Sequence, residues 1–181
     1  MLKRIILAVS IVGAVLVIAY GAAGVAVYER ATTTISGCEQ ADRQVWADNQ
    51  PSSFRTGGAF NQPDLDTMPY QIQSFETVSF PSRDDGVTIS AWYAPVPDAP
   101  GAPAVILVHG LNDCRHVPAI LLPAGMLNHA GFQVLMIDLR NHGDSTITNG
   151  RMAGGTREYR DVLGAWDWLV SEKSLPPERV G

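Results

Sequence analysis

Several residue types are scarce in this 181-residue sequence, and each scarcity removes a class of protein. There are two cysteines, Cys38 and Cys114, too few for a disulfide scaffold and without the C-x-x-C spacing of a zinc or dithiol site. A buried thiol at Cys114, or a single Cys38 to Cys114 bridge in an oxidising compartment, is what remains. The four histidines, His109, His116, His129 and His142, show no H-E-x-x-H or comparable spacing, so neither a metal nor another cofactor is expected. Lysine and arginine total 13 against 18 acidic residues, for a net charge of -5. The arginines are scattered over the chain, which argues against a nucleic-acid partner. No internal repeat is present.

What is abundant is apolar sequence, 46% of the chain, enough for one domain of ordinary size and an extra segment. The extra segment comes first. After Lys3 and Arg4 the chain runs uncharged from Ile5 to Tyr28, before Glu29 and Arg30. About 24 residues at roughly 1.5 Å each cross a ~30 Å hydrocarbon core with some tilt. A secretory signal has a shorter apolar region, so residues 1–30 are expected to be an uncleaved signal anchor rather than a peptide cut at the small residues 21–26. Lys3 and Arg4 are expected to stay in the cytoplasm, leaving a single-pass protein of the cell membrane with its remaining chain outside. The lipid bilayer is thus an expected partner.

Residues 31–66 are polar and short of aliphatic side chains, and read as a linker with one short helix around Cys38 to Trp46. Residues 67–181 read as the folded domain. "IQSFETVSF" and "VTISAWYAP" alternate apolar and polar residues on either side of the turn sequence "PSRDDG", which predicts a β-hairpin. "AVILV" and "FQVLMIDL" are continuous apolar runs of the kind found in strands covered on both faces. Between them, "HVPAILLPAGMLNHAG" carries helical spacings, with Pro123 as a break or early turn and Gly131 as the stop. "GTREYRDVLGAWDWLVSEKS" places Tyr159, Val162, Leu163, Trp166, Leu169 and Val170 on one helical stripe, from which Trp168 is excluded. The alternation of strand and helix predicts an α/β domain with a parallel sheet covered by helices.

Ligands of such sheets bind beyond the carboxyl ends of the strands. "VILVHGLND" ends its strand at His109 and Gly110, where a glycine lets the chain turn and a substrate approach the backbone. The N–H groups of Leu111 and Asn112 then become candidate donors to a developing oxyanion. Together with "FETVSFPSRDDGVTISAWYAP", "VLMIDLRNHGDS" and "REYRDVLGAWDWL", in that order, this stretch resembles the α/β-hydrolase superfamily, in particular its serine-esterase-like branch with a membrane anchor. The resemblance runs from about Met68 to Gly181. It implies a partial α/β-hydrolase fold: a β-hairpin, then parallel βαβα, preceded by one transmembrane helix. The candidate site residues are Gly110, Leu111 and Asn112.

The same resemblance implies a nucleophile elbow G-x-S-x-G on the next strand, which would begin at "ERVG". No G-x-S-x-G occurs in the sequence, and Gly143-Asp144-Ser145-Thr146-Ile147 lacks the final glycine. The expectation is therefore an amino-terminal fragment of a hydrolase acting on a small acyl substrate, an ester, thioester or amide, once completed. A non-catalytic, membrane-tethered binding module is the alternative, and fold alone does not choose. For His109 the resemblance implies a structural imidazole that holds its loop. Asp138, Arg140, His142 and Asp144 read as a polar network tying loops together rather than as catalytic groups. Asn141 departs from the glycine usual in the family.

Overall fold

The computed structural model describes residues 1–34, 46–57, 63–84 and 86–181. It divides into two units, Met1–Thr33 and Thr34–Gly181. The first is one helix, α1 (Leu2–Thr32), with no buried residue. Its length and apolar composition are sufficient to cross a membrane. The short helix expected around Cys38 to Trp46 falls almost wholly outside the described residues.

The second unit is built on four strands. β1 (Glu76–Pro81) and β2 (Thr88–Ala94) form the expected hairpin, in antiparallel register with Val78 opposite Ala91. β3 (Ala104–Val108) is followed by α2 (Pro118–His129), β4 (Gln133–Ile137) and α3 (Tyr159–Ser171). The strand order is β1-β2-β4-β3. β3 and β4 are parallel, with Val108 opposite Ile137, as a βαβ crossover requires. β2 joins β4 antiparallel, so the sheet is mixed. The hairpin thus extends the parallel pair on the β4 side and leaves β3 outermost.

That order explains the burial. β4 lies between two strands and is buried at every position, whereas β3 is only partly covered. Alternate residues of β4 serve opposite faces. Leu135 and Ile137 pack with Phe80, Ile89 and Tyr93 beneath α3, and Val134 and Met136 pack with Trp92 beneath α2. On its open side β3 receives a parallel bridge at Ala104 from Val180, with Gly181 N–H to Ala104 O at 3.0 Å and Ile106 N–H to Gly181 O at 2.8 Å. The stretch "ERVG" therefore enters beside β3 in strand-like pairing.

The helices differ from expectation in two respects. α2 continues through Pro123, giving up one backbone bond instead of breaking, and stops at Gly131, φ 91°. Phe132 N–H to Leu127 O and Gly131 N–H to Asn128 O, both 3.0 Å, close that end in the Schellman pattern. α3 turns inward a face that shares only Val162 and Leu169 with the expected stripe. Its buried residues are Asp161, Gly164, Ala165 and Leu169, while Tyr159 is half exposed. Trp168 packs on Phe80 and Tyr93, with ring centroids 5.8 and 5.3 Å away, and Trp166 instead lines a cavity of about 340 Å³ with Ile106, Val162 and Leu163. A hydrophobicity pattern misses this face because Asp161 is buried through an ion pair with Arg140, and Gly164 through lack of a side chain.

Residues 46–57 pack against the α2 layer through Phe54, which is buried, and Trp46. Asn49 organises the segment, donating to Arg55 O (3.0 Å) and His116 O (3.2 Å) and accepting from Arg55 N–H (3.1 Å). The 3₁₀ turn Met68–Tyr70 comes so close to α2 that a Cβ on Gly125 would meet Tyr70 O at 1.9 Å. Gly125→Ala should therefore lower stability by about 1–3 kcal/mol, since backbone must move to admit the methyl. Urea melts of the two chains in detergent check this, and equal midpoints contradict the close approach.

Candidate active site

Because β3 and β4 end side by side, the residues that follow them meet. His109, 5% exposed, is the first of these. Leu139 N–H donates to His109 Nε2 at 3.1 Å, which makes that nitrogen an acceptor. The ring proton is then on Nδ1, where it donates to Gly110 O at 2.8 Å. Burial pushes the His109 imidazole below its ordinary pKa, so the neutral ring persists, even though Asp138 nearby favours the charged form. Both nitrogens are committed to backbone groups. His109 is a strut between the end of β4 and the loop that leaves β3.

The consequence falls on the next peptide. Gly110 C=O and Leu111 N–H belong to one planar unit and point in opposite directions. With the carbonyl turned to His109, the Leu111 N–H points away from it, and it donates to no group among the described residues. Leu111 is 45% exposed. Asp113 N–H to Gly110 O, 3.2 Å, closes the turn. The left-handed position of this turn is Asn112, φ 57°, rather than Gly110. Asparagine is among the few non-glycine residues that adopt it readily.

Asp138 holds the floor. Its Oδ1 accepts Arg115 N–H at 2.8 Å, and its Oδ2 accepts Asp144 N–H and pairs with Arg115 Nη1, each at 3.1 Å. A Cβ on Gly143 would lie 2.1 Å from that carboxylate, so only glycine fits there. Arg115, 2% exposed, also donates to Ser90 Oγ at 2.6 Å, pairs with Asp144, and lies over the Trp92 ring at 4.6 Å. Arg140 N–H and guanidinium bind Asp161 (2.9 and 2.6 Å), and its Nη2 reaches Ser82 Oγ at 2.8 Å. His142 Nδ1 donates to Arg140 O at 2.9 Å, and its ring centroid lies 4.8 Å from that of His109. The cluster read from "DLRNHGD" is thus a network that joins loops. Arg115, its central cation, carries no sequence signal that sets it apart from the polar loop in which it stands, "NDCRH".

Asn141 occupies a left-handed position, φ 63°, suited to asparagine as to glycine. Its Oδ1 accepts the N–H groups of Thr148 (2.7 Å), Asn149 (3.2 Å) and Gly150 (3.2 Å), and its Nδ2 donates to Arg151 O at 2.8 Å. Cys114 is buried and disulfide-bonded; Cys38, the other cysteine, lies outside the described residues. Ser145 Oγ donates to Asp138 O at 2.7 Å, and no serine hydroxyl among the described residues is hydrogen-bonded to a histidine. No group of three metal-binding side chains occurs among them either.

The comparisons with known proteins bear on the fold. The family described as the alpha/beta hydrolase fold matches residues 103–176. The esterase Pf2001 of Pyrococcus furiosus is 25% identical, with a TM-score of 0.50 over 60% of this chain and 40% of its own. The α/β hydrolase GrgF from Penicillium sp. sh18 is 22% identical, TM-score 0.52, over 59% and 36%. The hypothetical protein PA2218 from Pseudomonas aeruginosa is 20% identical, TM-score 0.54, over 62% and 36%. The chain spans about two fifths of the length of these structures. No curated protein sequence matches it.

The buried imidazoles make stability depend on pH. His109 and His116 both have pKa values lowered chiefly by burial, so between the unfolded value, about 6.5, and their folded values the unfolded chain binds protons that the folded chain refuses. Their contribution is complete above about pH 6.5 and is lost as pH falls from there toward the folded values. Urea midpoints should drop between pH 7.5 and 5.5, and drop less for His109→Gln, whose amide does not titrate. An equal drop in both chains removes His109 as the cause.

Proposed function

We propose that this chain, whose residues 103–176 match the alpha/beta hydrolase fold, is the amino-terminal portion of a membrane-anchored hydrolase that cleaves an ester, thioester or amide through an acyl-enzyme. The observation that carries this reading is the Leu111 N–H at the carboxyl end of β3, which has no acceptor among the described residues and lies on a peptide whose carbonyl is bound by His109. A nucleophile from outside these 181 residues attacks the substrate carbonyl, and the oxygen that becomes negative accepts the Leu111 N–H. Collapse expels the alcohol, thiol or amine, and water then releases the acyl group. His109 takes no part in proton transfer, because both its nitrogens are bound to backbone.

Two features support an extracytoplasmic domain on a single-pass anchor. Lys3 and Arg4 precede α1, which favours a cytoplasmic amino terminus. The bonded state of Cys114 is that of a protein in an oxidising compartment. A reporter active only outside the cytoplasm, fused after Gly181, should be active; activity of a cytoplasm-only reporter instead reverses the orientation.

The enzyme reading and the binding-module reading separate on one experiment. A fluorophosphonate, which esterifies an activated serine, is applied to native membranes and the protein is recovered with an antibody to this chain. A labelled, hydrolase-type serine should come with it, and unlabelled recovery of folded protein favours the non-catalytic module. In the labelled enzyme, Leu111→Pro should lower kcat by roughly 10²- to 10³-fold while Leu111→Ala changes it little. Equal losses in both would assign the effect to the side chain.

A further inference from the structure

We propose that Arg115 is a positioning residue for the oxyanion donor: by locking the far end of the 110–115 loop onto Asp138, it fixes the direction of the Leu111 N–H. This rests on the reading of Leu111 given above. The loop is held at its near end by His109, which accepts Leu139 N–H, and at its far end by Arg115, whose own N–H is accepted by Asp138. The two anchors at the end of β4 are consecutive residues. Residues 110–114 therefore span a short gap between fixed points, with little freedom left to the peptide that carries the donor.

Arg115 is fastened in more directions than loop closure alone requires. Its backbone N–H and Nη1 both reach the Asp138 carboxylate, at 2.8 and 3.1 Å; Nη1 also reaches Ser90 Oγ at 2.6 Å, and Nη2 pairs with Asp144. Trp92, in the same strand as Ser90, supports the guanidinium face at 4.6 Å. The residue is thus tied to β2 and to the turn after β4 at once. Its Nε–H is buried without a hydrogen-bond partner among the described residues. A buried cation with an unmet donor is an inefficient source of stability compared with an apolar side chain of similar volume. What a planar fork supplies, and an apolar chain or a lysine does not, is a single orientation.

The test reads the N–H direction itself. The full chain, labelled with ¹⁵N-leucine and held in detergent micelles, gives an order parameter and a residual dipolar coupling for the Leu111 amide. Wild type should show an order parameter near that of rigid backbone, about 0.85, and Arg115→Lys should bring it below about 0.6 with the coupling averaged toward zero. Leu135 and Leu169, buried in the sheet and α3, should not change. The pair Arg115→Met with Asp138→Asn removes both charges together and should behave as Arg115→Lys does. An unchanged Leu111 amide in either folded variant overturns the proposal. Unfolding of both variants overturns it too, since Arg115 would then serve the whole fold rather than the loop. The readout needs no turnover, so the two readings can fail separately: if Leu111 loses order but the assembled enzyme tolerates Leu111→Pro, the reading of Leu111 as oxyanion donor fails and the loop-fixing role stands.

Discussion

The Asp138 carboxylate is the constraint on which the arrangement of this domain's functional end depends. It sits where the most deeply buried strand stops, and its two oxygens accept from backbone on both sides, Arg115 N–H from one loop and Asp144 N–H from the other. An unpaired carboxylate at that depth would be strongly disfavoured, so the loops are held in the one arrangement that supplies donors. Gly143 follows from this, because the close approach of its backbone to the carboxylate leaves no space for a side chain. Removing either loop's contact would leave part of a buried charge unmatched.

Most of the architecture was legible from periodicity and punctuation. The hairpin, β3, α2, β4 and α3 are where alternation, apolar runs and the Gly131 stop put them, because each element buries its own face by a local rule. The antiparallel join between β2 and β4 was not legible: strand order is decided by which buried edges match, and no local pattern encodes it. α3 shows the limit most clearly. Its inward face includes an acid and a glycine, whose burial depends on Arg140 and on the Pro81 backbone. A scale that counts such residues as outward rotates the helix.

The candidate site divides in the same way. Strand ends and the His-Gly pair mark the location, and the network around Asp138 follows from charged residues crowded after an apolar run. Arg115 escaped notice because its partners lie 23 to 29 positions away in sequence, at Asp138, Ser90 and Asp144. Phe54 and Asn49 escaped for a related reason: a segment poor in aliphatic residues can still dock through one aromatic ring and one well-placed amide.

The loop that begins at Asn141 has a property the β3 loop lacks. All of its carboxamide bonds reach residues seven to ten positions ahead, a span whose closure costs little chain entropy. The β3 loop is instead held across 23 and 30 positions, through a strand and a helix that must already be in place. The Asn141 loop therefore has part of its shape set by bonds within itself, and its place on the domain set by longer ones, from Thr146 to Thr88 and from Ser145 to Ser90 in β2. The β3 loop takes most of its fixing from the assembled sheet.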